Sequence, residues 1–147
     1  MRLSWQPIFL KDETGVIRKY YPSVPVLMIE VAFGGNKLNT EGIVDSGASG
    51  LMLSKPYADR LGINLEGIEP IESTGVAGSF LRYPVDGMVF SVIGTDEHYD
   101  VEGSFTDIHD ELGNYHPVLP LLGINSVFAN YKVTIDTVNR TAELEPY

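Results

Sequence analysis

The residues of this chain best suited to chemistry lie in the segment Ile43-Val44-Asp45-Ser46-Gly47-Ala48-Ser49. Two branched apolar residues deliver a carboxylate into a turn made of small residues. Asp45 is the acid/base group, able to take a proton from water or to return one. Ser46 offers a hydroxyl that can hold the turn by hydrogen bonding. Gly47 lets the backbone come close enough to aim an amide at the carboxylate. Ala48 and Ser49 keep the walls of the turn small. Asp, Ser and Gly are also ordinary surface-turn residues, which is the plain alternative. The apolar residues before the turn, and Leu51 after it, argue for a buried one.

The elements around this turn read mainly as strands. Val24 to Phe33 is an apolar, branched-rich run ending at the turn cluster Gly34-Gly35-Asn36, and Leu38 to Val44 returns, so the pair forms a β-hairpin. The triplet Leu51-Met52-Leu53 follows the Asp45 turn. Ser54 then stands at a helix N-cap position, with Pro56 in the first turn and Gly62 after the end, which predicts a two-turn helix over Lys55 to Leu61. Phe80 to Ile93 reads as strands broken near Asp86-Gly87. Tyr115 to Leu122 carries two prolines and reads as an edge or irregular strand stopping at Gly123. Ile124 to Tyr131 predicts another short helix, and Lys132 to Asp136 with Thr141 to Glu145 a closing hairpin around Val138-Asn139. With no repeat, low-complexity tract or linker, residues 1–147 read as one all-β domain with one or two short helices.

Composition removes several classes of function. A chain of 147 residues, 44% hydrophobic, can build a core, so disorder is excluded. The absence of cysteine excludes disulfide scaffolds, thiol catalysis and Cys-based zinc sites. Ten Lys+Arg against twenty Asp+Glu give a formal charge of -10, a surface that repels phosphate backbones, so no nucleic-acid partner is expected. The start, Met1 to Glu13, lacks a signal-peptide apolar region, and no apolar run is long enough for a bilayer, so a cytoplasmic protein without membrane contact is expected.

Other candidate groups read more plainly. Asp96 to Glu111 holds seven acidic residues and no Lys or Arg, with His98, His109 and His116 in or beside it. Their spacings fit no ligand pattern, so this stretch is expected to be a solvated acidic loop and no metal or other cofactor is expected. Asn139-Arg140-Thr141 is an acceptor sequon, meaningful only in a secreted protein. Gly34-Gly35-Asn36-Lys37 lacks the context of a phosphate loop. Trp5 and the pair Tyr20-Tyr21 read as packing or dimer contacts.

From Val24 to Glu145 the chain resembles the retroviral-type, retropepsin-like aspartic peptidases. Ile43-Val44-Asp45-Ser46-Gly47-Ala48 matches that family's active-site pattern of two hydrophobics followed by Asp-Ser/Thr-Gly-Ala. The helix from Ser54, with its Leu61-Gly62-Ile63 ending, follows as in bacterial and cellular relatives. Thr74-Gly75-Val76-Ala77-Gly78-Ser79-Phe80 stands where the family has its Gly-containing flap tip. Leu121-Leu122-Gly123-Ile124-Asn125 matches the two hydrophobics and glycine before the family's short helix. Val133-Thr134-Ile135-Asp136 and Arg140 look like its closing strands. The pieces are individually weak; their order and separation carry the resemblance. Ile124 departs from the pattern, standing where viral enzymes usually carry Arg, and the segment from Thr95 to His116 is longer than a minimal viral enzyme needs.

The resemblance implies a closed β-barrel, active as a homodimer, hydrolysing peptide bonds with water activated between two aspartates. Asp45 is then the catalytic residue, supported by Ser46, Gly47, Ala48 and Ser49. Gly75, Val76, Ala77 and Gly78 form the flap over the substrate, and Leu121, Leu122 and Gly123 line its pockets. The chain offers a single Asp-Ser/Thr-Gly. Asp136-Thr137-Val138 has β-branched Val where the tight turn needs Gly, so Asp136 reads as structural. A dyad therefore needs a second copy across a twofold axis. The alternatives are a binding or dimerisation module of the same fold that cleaves nothing, and an unrelated β-barrel with a chance resemblance.

Overall fold

The computed structural model describes residues 1–11, 14–75, 78–108 and 119–147. The chain is mostly β. In order it forms β1 (Ser4–Lys11), β2 (Ile17–Phe33), β3 (Asn36–Val44), β4 (Leu51–Ser54), α1 (Pro56–Arg60), β5 (Ile71–Gly75), β6 (Gly78–Val92), β7 (Tyr99–Asp107), β8 (Leu121–Leu122), a π-helical turn (Ile124–Phe128), β9 (Tyr131–Asp136) and β10 (Thr141–Pro146). The larger sheet has the order β1-β2-β3-β8-β4-β7-β6-β5, and β2 also pairs with β6, so the strands return on themselves as a ring. Phe90, Phe105, Ile29, Leu51 and Leu53 are fully buried within it. Each such side chain contributes about 1.5–3 kcal/mol by leaving water.

The expected hairpin is β2–β3, closed by Gly34-Gly35, with Phe33 opposite Asn36. Gly34 takes φ 57, a backbone conformation that glycine adopts without steric cost. The closing hairpin is β9–β10. The chain start joins it: the Leu3 amide donates to the Ala142 carbonyl at 2.8 Å, and the Leu144 amide to the Met1 carbonyl at 2.7 Å. The expected break near Asp86-Gly87 is a bulge in one strand, between Val85 and Met88, with Gly87 at φ 86.

Four expectations are corrected. Ser54 is not the N-cap of α1. It pairs with Thr106 as the last residue of β4, and Lys55, whose amide donates to the Thr106 carbonyl at 2.9 Å, takes the cap position. The acidic stretch is not a loop throughout, because Tyr99–Asp107 is β7, with Asp100 and Glu102 outward and Val101, Gly103 and Phe105 buried. Its charges mask an alternation that is strand-like. Asp107 is ion-paired with Lys55 at 3.3 Å, and the Tyr99 hydroxyl donates to the Glu97 carboxylate at 2.5 Å, which raises the Tyr99 pKa. Residues 109–118 of the stretch, with His109 and His116, lie outside the described residues. β8 is not an edge strand; it sits between β3 and β4. The second helix is the turn Ile124–Phe128, and Tyr131 already begins β9.

Candidate active site

β3 and β8 run parallel, pairing Ile43 with Leu121 and Val44 with Leu122. The Ile43 amide donates to the Pro120 carbonyl at 2.8 Å and the Asp45 amide to the Leu122 carbonyl at 3.1 Å, so the ladder carries on into the turn. Asp45 emerges half-buried at the end of a buried strand. The Gly47 amide donates to its Oδ1 at 2.8 Å, and the Ala48 amide to its backbone carbonyl at 3.2 Å. A Cβ on Gly47 would stand 3.1 Å from that same Oδ1, so this glycine gives the carboxylate its room.

The turn is fastened from the far side. The amides of Gly123, Ile124 and Asn125 donate to the carbonyls of Gly50, Ala48 and Ser49 at 3.1, 3.0 and 3.0 Å. The first residues of the π-helical turn thus spend their otherwise unpaired amides on the Asp45 loop. The approach is close enough that a Cβ on Gly123 would lie 2.2 Å from the Ala48 oxygen. Leu122 is 0% exposed, and a Cβ on Gly42 would lie 2.7 Å from its side chain. Leu122 therefore packs in the core and offers the site its carbonyl, not the pocket wall expected of it. Gly123 acts through backbone contact, and half-buried Leu121 alone of the three remains placed to line a wall.

Ser46, Gly47 and Ser49 are exposed and Ala48 is buried beneath them. The segment expected to form the flap lies in the β5–β6 hairpin, with Thr74 opposite Ser79 and Gly75 opposite Gly78; Val76 and Ala77 lie outside the described residues. Its base is held by a residue the sequence reading passed over. Arg82 Nε donates to Ser73 Oγ at 2.8 Å and Nη1 to Ser104 Oγ at 3.0 Å, joining β5, β6 and β7. A lone guanidinium within a strand-like run was the available signal.

Asp136 is fully engaged elsewhere. The amides of Val138 and Asn139 donate to its Oδ1, each at 2.9 Å, and Asn139 Nδ2 donates to Oδ2 at 2.7 Å. The bonds from Asn139, backbone first, hold its carboxyl below the ordinary value. Among the described residues, no group of three or more His, Asp or Glu is placed to hold a metal ion. No helix among them is long and apolar enough to cross a membrane. Two surface grooves, one with Arg2, Leu27 and Glu41 in its lining and the other with Lys55, Asp59 and Tyr83, include no residue of the Asp45 turn.

A sequence model of the family described as aspartyl protease matches residues 29–126, from the middle of β2 into the π-helical turn. No curated protein sequence matches the chain. Among solved structures, the crystal structure of a retropepsin-like aspartic protease from Rickettsia conorii aligns over 93% of this chain and 97% of that one, with a TM-score of 0.56 and 19% identity. At that identity the likeness is one of fold. The matched span covers more than half of the sequence and contains the Asp45 turn, the β5–β6 hairpin and β8 together: the chain has a retropepsin-like fold and belongs to the aspartyl protease family.

Proposed function

We propose that this chain is an aspartic endopeptidase that works as a homodimer, each subunit giving one Asp45. The observation that carries this reading is the half-exposed Asp45 carboxylate, oriented by the Gly47 amide on a loop fastened by three further amides. Rigid placement of an acid/base group on a buried strand end is what proton transfer to a bound water requires. The chemistry takes two carboxylates around one water. The ionised one accepts a proton from the water as it attacks the scissile carbonyl; the protonated one donates to the carbonyl oxygen. Two carboxylates about 3 Å apart do not both ionise, so the pair shares a proton.

One chain has one such aspartate, since Asp136 already caps the β9–β10 turn. A twofold axis beside Asp45 supplies the second. The substrate then lies extended between the subunits, its backbone paired strand-like, with the β5–β6 hairpins closing over it and Leu121 on the wall.

Digestion of a peptide library by wild type and by Asp45→Asn tests the proposal. Cleavage by wild type, abolished in a mutant that keeps its circular dichroism and melting behaviour, is the expected result. Undiminished turnover by Asp45→Asn overturns the catalytic assignment. A wild type that cleaves nothing from acid to neutral pH makes the chain a non-catalytic module of this fold.

A further inference from the structure

The β1–β2 hairpin begins at the level of the catalytic turn and runs past it. β2 and β3 pair Val26 with Ile43, so two residues further along each strand Val24 comes level with Asp45. β1 joins there, pairing Ser4 with Val26 and Gln6 with Val24. The two strands then continue together through Phe9–Tyr20 to Lys11–Ile17 without β3 beside them. Tyr20 thus stands four residues, and up to ~13 Å of strand, beyond the level of Asp45. A register shift between Gln6 and Ile8 bends this arm, and its root is pinned by buried Ile8 and Val26 with Val24 and Leu119 packed against them.

Three large apolar side chains on the arm are open. Phe9 and Tyr20 stack with ring centroids 4.9 Å apart, yet they are 53% and 54% exposed, and Ile17 on the same hairpin is 51% exposed. Aromatic rings each bury about 150–250 Å² when covered, so this pair alone holds on the order of 200 Å² of uncovered surface. A stable dimer needs about 800 Å² per partner, more than the small, mostly polar Asp45 turn can provide.

We propose that the β1–β2 arm, through Phe9, Ile17 and Tyr20, is a dimer-clasping element that packs against the second copy of the chain. The inference rests on the dimeric reading above. An axis that brings two Asp45 carboxylates to about 3 Å passes within a few ångströms of the end of β3. The strand beside β3 carries the arm onward from that level, so the arm, with Phe9, Ile17 and Tyr20, stands next to the axis of the proposed dimer.

Two measurements on the full chain test it. The first is sedimentation equilibrium, with cleavage rate against chain concentration, for wild type and Phe9→Ser/Tyr20→Ser. The expected result is a dimer dissociation constant at least tenfold weaker, with cleavage lost at low concentration and recovered at high concentration at unchanged kcat. The second uses the chain's lack of cysteine: a polarity-sensitive fluorophore on Tyr20→Cys shifts to the blue across the wild-type dimerisation range. That arm stands even if the double variant fails to fold. A dimer constant within twofold of wild type and a probe indifferent to concentration overturn the inference, and an Asp45-dependent, dimeric wild type leaves the catalytic reading intact in that case. A wild type monomeric at every concentration overturns both. A raised KM with unchanged dimerisation makes the arm a substrate contact and overturns the clasp.

Discussion

Replacing Gly123 by alanine tests how the Asp45 turn is held. Gly123 has φ -103, open to any residue, so only space decides the outcome. The added Cβ would lie 2.2 Å from the Ala48 oxygen, 2.6 Å from its carbonyl carbon and 2.9 Å from its Cβ, all parts of the Asp45 loop rather than a flexible side-chain end. Ordinary contact begins at 3.4 Å, so the loop and the π-helical turn must part by about 1.2 Å (3.4 less 2.2). The Ile124 amide, now 3.0 Å from the Ala48 oxygen, then leaves hydrogen-bonding range, and its neighbours stretch. Overpacking costs about 1–3 kcal/mol and the lost bond about 1 kcal/mol, for a total of about 2–4 kcal/mol. Out of a domain stability of about 5–15 kcal/mol, that leaves a folded protein melting about 10 °C below wild type. Gly35→Ala is the control: no atom lies within 4 Å of its Cβ position and its φ is not positive. Urea unfolding of the two variants against wild type is the assay. In the proposed enzyme, Gly123→Ala also loses about 100-fold in kcat/KM, because displacing the carboxylate by about 1 Å breaks its alignment. Equal denaturation midpoints for Gly123→Ala and Gly35→Ala would refute this reasoning.

Arg82→Ala removes both bonds at the flap base and leaves the buried Ser104 hydroxyl without its donor, a loss of about 1–3 kcal/mol. Amide hydrogen exchange then quickens in β5 and the adjoining half of β6 while β2–β3 is unchanged; uniform exchange would count against an anchoring role. Asp136 has a folded-state pKa below its unfolded value, so its contribution is fully present above the ordinary carboxylate range and fades as pH falls through the folded value. Asp136→Ala is therefore destabilised near neutral pH, and its gap to wild type narrows below about pH 4; a gap independent of pH would exclude the carboxylate as its source.

What the sequence made legible was local. The Asp45 turn, the Gly34-Gly35 hairpin, α1 with its Gly62 ending at φ 69 and the β9–β10 hairpin are each written in a few consecutive residues. Elements defined by distant partners were not. β8 is two residues long, and its central place comes from pairing with β3 and β4, segments far away in the chain. No local pattern encodes that. β7 was hidden because acidic residues filled its outward positions. The β1–β2 arm was hidden by Pro7, Pro22 and Pro25, which punctuate sequence as turns do, although here β1 bulges next to Pro7 and the strands continue. At the site, Leu-Leu-Gly was visible as a motif, but its use was not. Leu122 fills the core, and Gly123 admits the Asp45 loop to within backbone contact.

That division explains why one chain can hold a finished half of a site. Within the chain, Asp45 is oriented by the Leu122 carbonyl on its amide, the Gly47 amide on its carboxylate, and three donors from residues 123–125 beneath the loop. In the proposed dimer the second copy brings a second carboxylate and a cover over exposed Ser46 and Gly47. The binding energy of such a dimer then has to come from surfaces away from the turn, because the turn exposes too little apolar area to supply it. Folding and catalytic competence thereby become separable. On that proposal the chain folds with its aspartate already aimed, and chemistry begins when concentration brings two copies together.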